Sequence, residues 1–176
     1  MGKREREKEI LKRIKEAGDS ENYDTSWSDE GIPVSKKKTK VKKGKSARQQ
    51  GAQFELRVRK DLESKGKIVD KWTNNVDLEN QKVVPAKRKF NPFSKVMTIG
   101  TGFPDFVSIK NVDKNLFSVI GVECKMNGKL SKEEKEKCAF YLKDKIFSQI
   151  WIAKKGKKRG EIIYEDFSEK YKKYLQ

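Results

Sequence analysis

The chain has 176 residues, of which 34% are hydrophobic and 39% are charged, and its formal net charge is +17. This polar composition leaves apolar material for one core of modest size if part of the chain stays outside it. The charge predicts an anionic partner, either nucleic acid or an anionic membrane surface.

Several classes of protein are excluded by what the chain lacks. No apolar run reaches membrane-spanning length, and the charged N-terminus has no signal-peptide pattern. Two cysteines and no histidine exclude a disulfide framework, a zinc cluster and a histidine-based triad. We therefore expect no membrane partner, no small-molecule cofactor and a reducing setting: the cytoplasm or nucleoid, or the nucleus in a eukaryote.

Residues 1–45 are predicted to be a charged helix followed by a flexible basic tail. Residues 3–17 space three apolar residues as an amphipathic helix does, and residues 18–35 have the composition of a loop. Eight basic residues follow, and no acidic residue occurs from 31 to 54. Like-charge repulsion predicts disorder here in the absence of a partner. An arm that lies on phosphates, a nuclear-import signal and a solubilising tail all share this composition.

Residues 46–176 predict one mixed α/β domain. A capping box, formed by Ser131 and Glu134, begins its second helix. The predicted order is a helix ending at a glycine signal at 66, a strand in 67–72, an irregular basic segment over 74–100, two strands over 105–109 and 116–125 joined as a hairpin, a helix from 131, strands over 149–155 and 161–167, and a terminal helical turn.

Three charges in the central hairpin need an explanation. Asp105 begins one apolar strand, and Glu123 and Lys125 lie on one face of the next. An antiparallel hairpin brings Asp105 beside Glu123, which is unfavourable unless a cation lies between the carboxylates. Oxygen ligands suit Mg²⁺ or Mn²⁺, and a neighbouring lysine can orient water and stabilise charge on a phosphate. The alternative is a solvent-facing hairpin edge with a paired Glu and Lys.

These residues resemble the signature of the PD-(D/E)XK nuclease superfamily, with Pro104–Asp105 followed by Glu123–Lys125. The flanking segments "RQQGAQFELRVRKDLESKGK" and "VECKMNGKLSKEEKEKCAFYL" resemble archaeal Holliday-junction resolvases. VRR-type nuclease domains share a wider pattern, which here comprises Gly102, Pro104, Asp105, Glu123, Lys125, Gly128, Leu130 and Ser131.

The resemblance implies a restriction-endonuclease-like mixed β-sheet flanked by helices. Asp105 and Glu123 would bind Mg²⁺ or Mn²⁺ together with the backbone carbonyl of Cys124, and Glu55 would join through a water on the metal. Lys125 would position the attacking water. The chain departs from the family in its long basic segment at 74–100 and in having Glu134–Lys135 where a glutamine is common.

The activity implied is a metal-dependent DNA endonuclease, first of all a resolvase of Holliday junctions, acting as a homodimer on branched DNA. A nuclease for flaps, single-strand ends or duplex is an alternative in the same class. A nucleic-acid-binding protein without chemistry is an alternative from another class, and a basic nucleic-acid chaperone or ribosome-associated protein that acts through its arm alone is a third.

DNA contacts are expected from three further basic groups. Lys87, Arg88 and Lys89 are interleaved with Phe90 and Phe93, a mixture that suits phosphate contact and base stacking. A mobile insertion whose phenylalanines cover the core is the alternative.

The other two groups are Lys154 and Lys155, in a basic turn, and Arg48, before the first domain helix. A solvated hairpin loop is the alternative for the turn.

Overall fold

The computed structural model of the protein describes residues 2–91, 95–99 and 102–176. The chain forms two compact units, an N-terminal unit (Met1–Ala52) and a C-terminal unit (Gln53–Gln176). One helix, Lys38–Ser64, contains the boundary between them.

The N-terminal unit contains a helix, a hairpin and the beginning of a second helix. Its elements are α1 (Lys3–Gly18), β1 (Tyr23–Trp27), β2 (Pro33–Lys37) and the first half of α2 (Lys38–Ser64). The strands are antiparallel, with Tyr23 opposite Lys37 and Trp27 opposite Pro33. Gly31, at φ 73°, lies in the turn between them, and the hydroxyls of Thr25 and Ser35 lie 2.9 Å apart across the strands.

Secondary structure therefore replaces the loop and the disordered basic tail expected before residue 46. In β1, Tyr, Thr and Trp alternate with polar residues, a pattern that favours a strand and that the prediction of a loop did not take into account. The basic block is rich in Lys, Arg, Gln and Ala, which are strong helix formers, and it extends α2 towards the N-terminus. Among the described residues of this unit, no side chain is buried.

The C-terminal unit is built on a mixed five-stranded sheet. Its further elements are β3 (Ile68–Lys71), β4 (Asn74–Asp77), β5 (Lys82–Pro85), β6 (Arg88–Asn91), β7 (Val96–Ile99), β8 (Phe106–Asp113), β9 (Leu116–Cys124), α3 (Lys132–Lys143), β10 (Gln149–Lys155), β11 (Ile162–Asp166), α4 (Phe167–Lys170) and a 3₁₀ turn (Lys172–Tyr174). The sheet has the order β11-β10-β9-β8-β3; β9 and β10 are parallel and the other neighbours antiparallel. The expected mixed α/β class, with helices flanking a mixed sheet, is confirmed.

Two hairpins occupy the segment that was expected to be irregular. β4 pairs with β5 and β6 pairs with β7, both antiparallel. The first turn is closed by Asp77, whose side chain accepts hydrogen bonds from the amides of Glu79 and Asn80, and Gln81 has a φ of 48°. Strands of four residues joined by such a turn are difficult to recognise in a mainly basic sequence, so this hairpin was not predicted.

Both faces of the sheet carry a hydrophobic cluster. One cluster contains Phe54, Val58 and Leu62 of α2, together with Ile120 and Val122 of β9. This face was predicted to be apolar, as was the spacing of the three α2 residues.

The opposite face of the sheet is also covered. A second cluster includes Tyr141 of α3, Phe147 and Ile150, and Val119 packs against it. Gly121 lies so close to Phe147 that an added Cβ would be 3.1 Å from its ring. The face that carries Glu123 is therefore interior.

Within the described part of the chain, no helix is both long enough and apolar enough to cross a membrane.

Candidate active site

The hairpin β8–β9 brings Asp105 and Glu123 together. Phe106 pairs with Val122, so the residue before β8 meets the residue near the end of β9. The amide of Asp105 donates to Glu123 Oε2 at 3.2 Å, and the amide of Cys124 donates to Asp105 Oδ2 at 2.8 Å. Each carboxylate is thus oriented by a backbone N–H of the opposite strand.

Of the two acidic residues, Glu123 is buried and Asp105 is half-buried. Glu123 is 4% exposed, and burial together with the charge of Asp105 raises its pKa to about 8. Burial also raises the pKa of Asp105, and the charge of Glu55 adds to that rise. A solvent-facing hairpin edge would leave Glu123 in water, so the burial contradicts that alternative.

Lys125 lies between two carboxylates. Its Nζ is 3.0 Å from Glu123 Oε1 and 2.7 Å from Glu134 Oε1. Burial lowers the pKa of Lys125, but the two neighbouring carboxylates outweigh it, so the pKa is raised above its usual value. The lysine therefore stays charged, with its ammonium group fixed at the site.

Glu134 has two roles in the structure. It is the third residue of α3, where its Oε2 accepts from the Ser131 amide at 2.7 Å and its own amide donates to Ser131 Oγ at 3.2 Å. Its other oxygen holds Lys125. The cap was predicted from the sequence, but the contact with Lys125 was not. The one indication of this contact in the sequence was that Glu134 stands where the resembled family commonly has a glutamine.

Glu55 and Lys71 lie beside the carboxylate pair. Glu55 follows the buried Phe54 on α2, and its Oε2 is 3.6 Å from Lys71 Nζ. The charges of both act on the pKa of Asp105, in opposite directions. Lys71 was not predicted. Lys71 lies opposite Phe106 in the pairing of β3 with β8. Its place beside Asp105 could be predicted only if the position of the edge strand β3 in the sheet were known.

Several residues of the extended pattern have structural roles. An added Cβ on Gly102 would lie 2.0 Å from the carbonyl oxygen of Trp72, so only glycine fits there. Gly128 has a φ of 67°, and its amide donates to the carbonyl of Lys125 at 2.7 Å in a tight turn. Leu130 is buried in the core. Gly128 and Leu130 lie between β9 and α3 and so fix the path from the β9 charges to that helix.

The residues expected to touch DNA are distributed unevenly. Lys87 and Arg88 are exposed, and Phe90 is 60% exposed. The side chain of Lys89 and the whole of Phe93 lie outside the described residues. An exposed Phe90 does not cover the core, as the alternative for this segment required.

Lys155 is exposed at the end of β10, whereas Lys154 is paired with Glu165, which also holds Lys170 at 2.6 Å. Lys154 is thus engaged within the protein. Arg48 belongs to the N-terminal unit, where it lines a cavity with other basic side chains.

Asp105 and Glu123 are the residues suited to holding a divalent cation. Across the described residues, no group of three or more His, Cys, Asp or Glu side chains could hold a metal. In many proteins, however, only one or two carboxylates bind Mg²⁺, and water and phosphate oxygens complete its coordination shell. The buried Glu123 and the half-buried Asp105 offer only oxygen ligands, which fits that pattern. Cys124 pairs with Ala153 of β10, and its carbonyl remains a predicted ligand.

No family model, curated protein or solved structure matches the chain.

Proposed function

We propose that the protein is a Mg²⁺-dependent endonuclease that hydrolyses phosphodiester bonds of DNA. The observation that carries this proposal is the half-buried Asp105 beside the buried Glu123, with the Lys125 ammonium 3.0 Å from Glu123. Two carboxylates and one fixed cation form an arrangement that suits an anionic substrate and an attacking water.

Each side chain has a distinct task in this reaction. Asp105 and Glu123 would hold Mg²⁺ or Mn²⁺, which when bound polarises a phosphate and makes a water more acidic. Lys125 orients the attacking water and stabilises negative charge on the phosphate as the P–O bond to the leaving oxygen breaks. Glu134 keeps the Lys125 ammonium in place. Glu55 adds negative charge to the metal site, and Lys71 limits its repulsion of Asp105.

Branched DNA is the proposed substrate, and a homodimer is the proposed assembly. The support is the resemblance of the segments around the site to Holliday-junction resolvases. A four-way junction has two symmetric strands to cut, so a twofold dimer would place one site on each. The exposed Lys87, Arg88 and Lys155 supply positive charge for the DNA backbone.

The test incubates the protein with a four-way junction, a flap, a plain duplex and a single strand, each with Mg²⁺ or with a chelator. Asp105→Asn is expected to lower the cutting rate by at least about 10³-fold while binding persists. Asp113→Asn is the matched control, because Asp113 is exposed at the far end of β8, the strand that begins directly after Asp105.

Cutting that survives Asp105→Asn would contradict the mechanism. Equal cutting of all four substrates would contradict the preference for branched DNA. Tight binding without cutting by the unaltered protein in Mg²⁺ and in Mn²⁺ would identify a binding protein without chemistry.

A further inference from the structure

The N-terminal unit contains a cavity of about 880 Å³ with a strongly basic lining. Glu16 is the one acidic side chain among the residues that line it. The cationic side chains are Lys12, Lys36, Lys37, Lys40, Lys45 and Arg48.

The helix α2 divides its basic residues between two faces. Lys40, Gly44 and Arg48 are spaced four apart and line the cavity, and Lys45 lies next to them. Lys42 and Lys43 lie outside that lining. Cationic side chains from α1, β2 and α2 therefore converge on one concave surface, which a uniformly charged tail would not produce.

Among the described residues that line the cavity, Glu16 alone offers a negative charge against the six cations. Within the described residues, none of them forms an ion pair with a carboxylate. Like charges gathered in this way repel each other, which destabilises the unit unless an anion binds. The unit also buries none of its described side chains, so the lysine stems are not there to cover a core.

We propose that this cavity is a binding site for the phosphate backbone of nucleic acid. A convex, densely charged strand can enter a concave surface and meet several cations at once. An anionic bilayer is nearly flat and is contacted best by protruding groups. The residues that suit a bilayer, Ile10, Leu11 and Ile14, are exposed on α1 and do not line the cavity.

The proposed cavity site and the proposed endonuclease have one thing in common: the partner of both is nucleic acid. The cavity site requires no chemistry at Asp105, and it would bind nucleic acid even if the C-terminal unit cuts none. Binding is therefore measured in a chelator, where no cutting is expected, and activity is measured separately.

The experiment compares two double variants of the full chain. Lys40→Gln with Lys45→Gln removes two cavity charges, and Lys42→Gln with Lys43→Gln removes two charges from the same helix outside the cavity. Affinity for a 30-base-pair duplex is measured by fluorescence anisotropy at several salt concentrations. Circular dichroism checks that both variants fold.

The cavity variant is expected to bind about tenfold or more weakly at 0.1 M salt. Its plot of log affinity against log salt should be shallower by about 2, because each phosphate contact contributes about 0.9 to the slope. The control variant should keep the slope of the unaltered protein to within about 0.5.

Equal losses in the two variants would show diffuse charge and would overturn the proposal. So would an unchanged slope in the cavity variant. Vesicles with anionic lipid form a second arm: if the cavity variant loses vesicle binding while duplex binding is unchanged, the partner is a membrane and the proposal is wrong. Loss of cutting by Asp105→Asn leaves these outcomes unaffected.

Discussion

At the level of single residues, the Lys125 ammonium group is held by two carboxylates. Its Nζ lies 3.0 Å from Glu123 and 2.7 Å from Glu134. Glu134 also caps the N-terminus of α3. The position of α3 and the position of the ammonium group are therefore linked through one side chain.

Replacement of Glu134 by Gln should separate these two roles. A glutamine oxygen can still accept from the Ser131 amide, so the melting temperature should change little. The loss of charge releases Lys125, and cutting should slow by roughly 10- to 100-fold, since a displacement of about 1 Å can have an effect of that size. Melting curves and cleavage rates are the measurements.

Glu136→Gln is the control, because Glu136 lies on the same helix and only reaches Lys132 at 3.8 Å. An equal rate loss in both variants would contradict the special role of Glu134.

The pKa of Glu123 gives the protein a defined pH dependence. In the folded state it is about 8, against about 4.3 in an unfolded chain. A raised pKa means that the folded state holds the proton more tightly, so this contribution to stability is complete below pH 4 and is lost as the pH rises through 8. Asp105, with its pKa also raised, acts in the same direction.

Glu123→Gln removes the larger of these titrations. In a metal-free buffer with chelator, the variant should melt at a higher temperature than the unaltered protein at pH 8. The difference should shrink towards pH 5. Several degrees are expected, because about 1 kcal/mol moves the melting temperature of a domain this size by about 2–4 °C. A difference that is constant from pH 5 to pH 8 would contradict the raised pKa.

The neighbourhood of Asp105 and Glu123 could be predicted because it depends on local rules. A short hairpin and the alternation of a strand are enough to place one residue beside the other. The contacts of Glu134 and Lys71 could not be predicted, because they depend on where α3 packs on the sheet and on which edge of the sheet β3 occupies. Neither position follows from a pattern within its own element.

At the level of elements, α2 joins a core-forming half to a half without a core. Phe54, Val58 and Leu62 are spaced four apart and are at most 1% exposed. That spacing predicted the C-terminal half of the helix, and the glycine signal at Gly66 predicted its end. The N-terminal half has no such stripe, so only its helix propensity indicated structure, and charge repulsion argued against it.

Two leucines of α2 test this division. Leu62→Ala should lower the free energy of unfolding by about 2–5 kcal/mol, because Leu62 is fully buried and leaves a cavity. Leu56→Ala makes the same chemical change at a position that is 60% exposed, and it should cost less than about 0.5 kcal/mol. Urea denaturation measures both. Similar losses at the two positions would contradict the packing of this helix.

At the level of the whole molecule, the buried side chains of the described residues all belong to the C-terminal unit. The N-terminal unit has strands and helices without an interior. Composition predicted that part of the chain would stay outside the core, but it could not distinguish an unstructured tail from a helix with a hairpin. Both have the same exposed charge.

Hydrogen exchange should divide the chain accordingly. Amides of β9 and β10, at the centre of the sheet, should exchange only through global unfolding, at least about 10³-fold slower than an unstructured chain. Amides of β1 and β2 should exchange close to the unstructured rate, because no buried apolar contact resists their opening. Mass spectrometry of peptic fragments measures both. Equal protection in β1 and β9 would show that the N-terminal unit is stabilised by more than surface contacts.

The two cysteines lie on opposite faces of the sheet. Cys138 is fully buried in the cluster of α3, and Cys124 packs against the cluster of α2. Burial raises the pKa of both thiols, so neither is a reactive thiolate in the folded protein. A maleimide would then modify the fully buried Cys138 only when the α3 side of the sheet opens, and it should modify the half-buried Cys124 faster. Two single-cysteine variants, with serine or alanine at the other position, would measure the two rates separately, and the Cys138 rate would report the opening of the hydrophobic layer under α3.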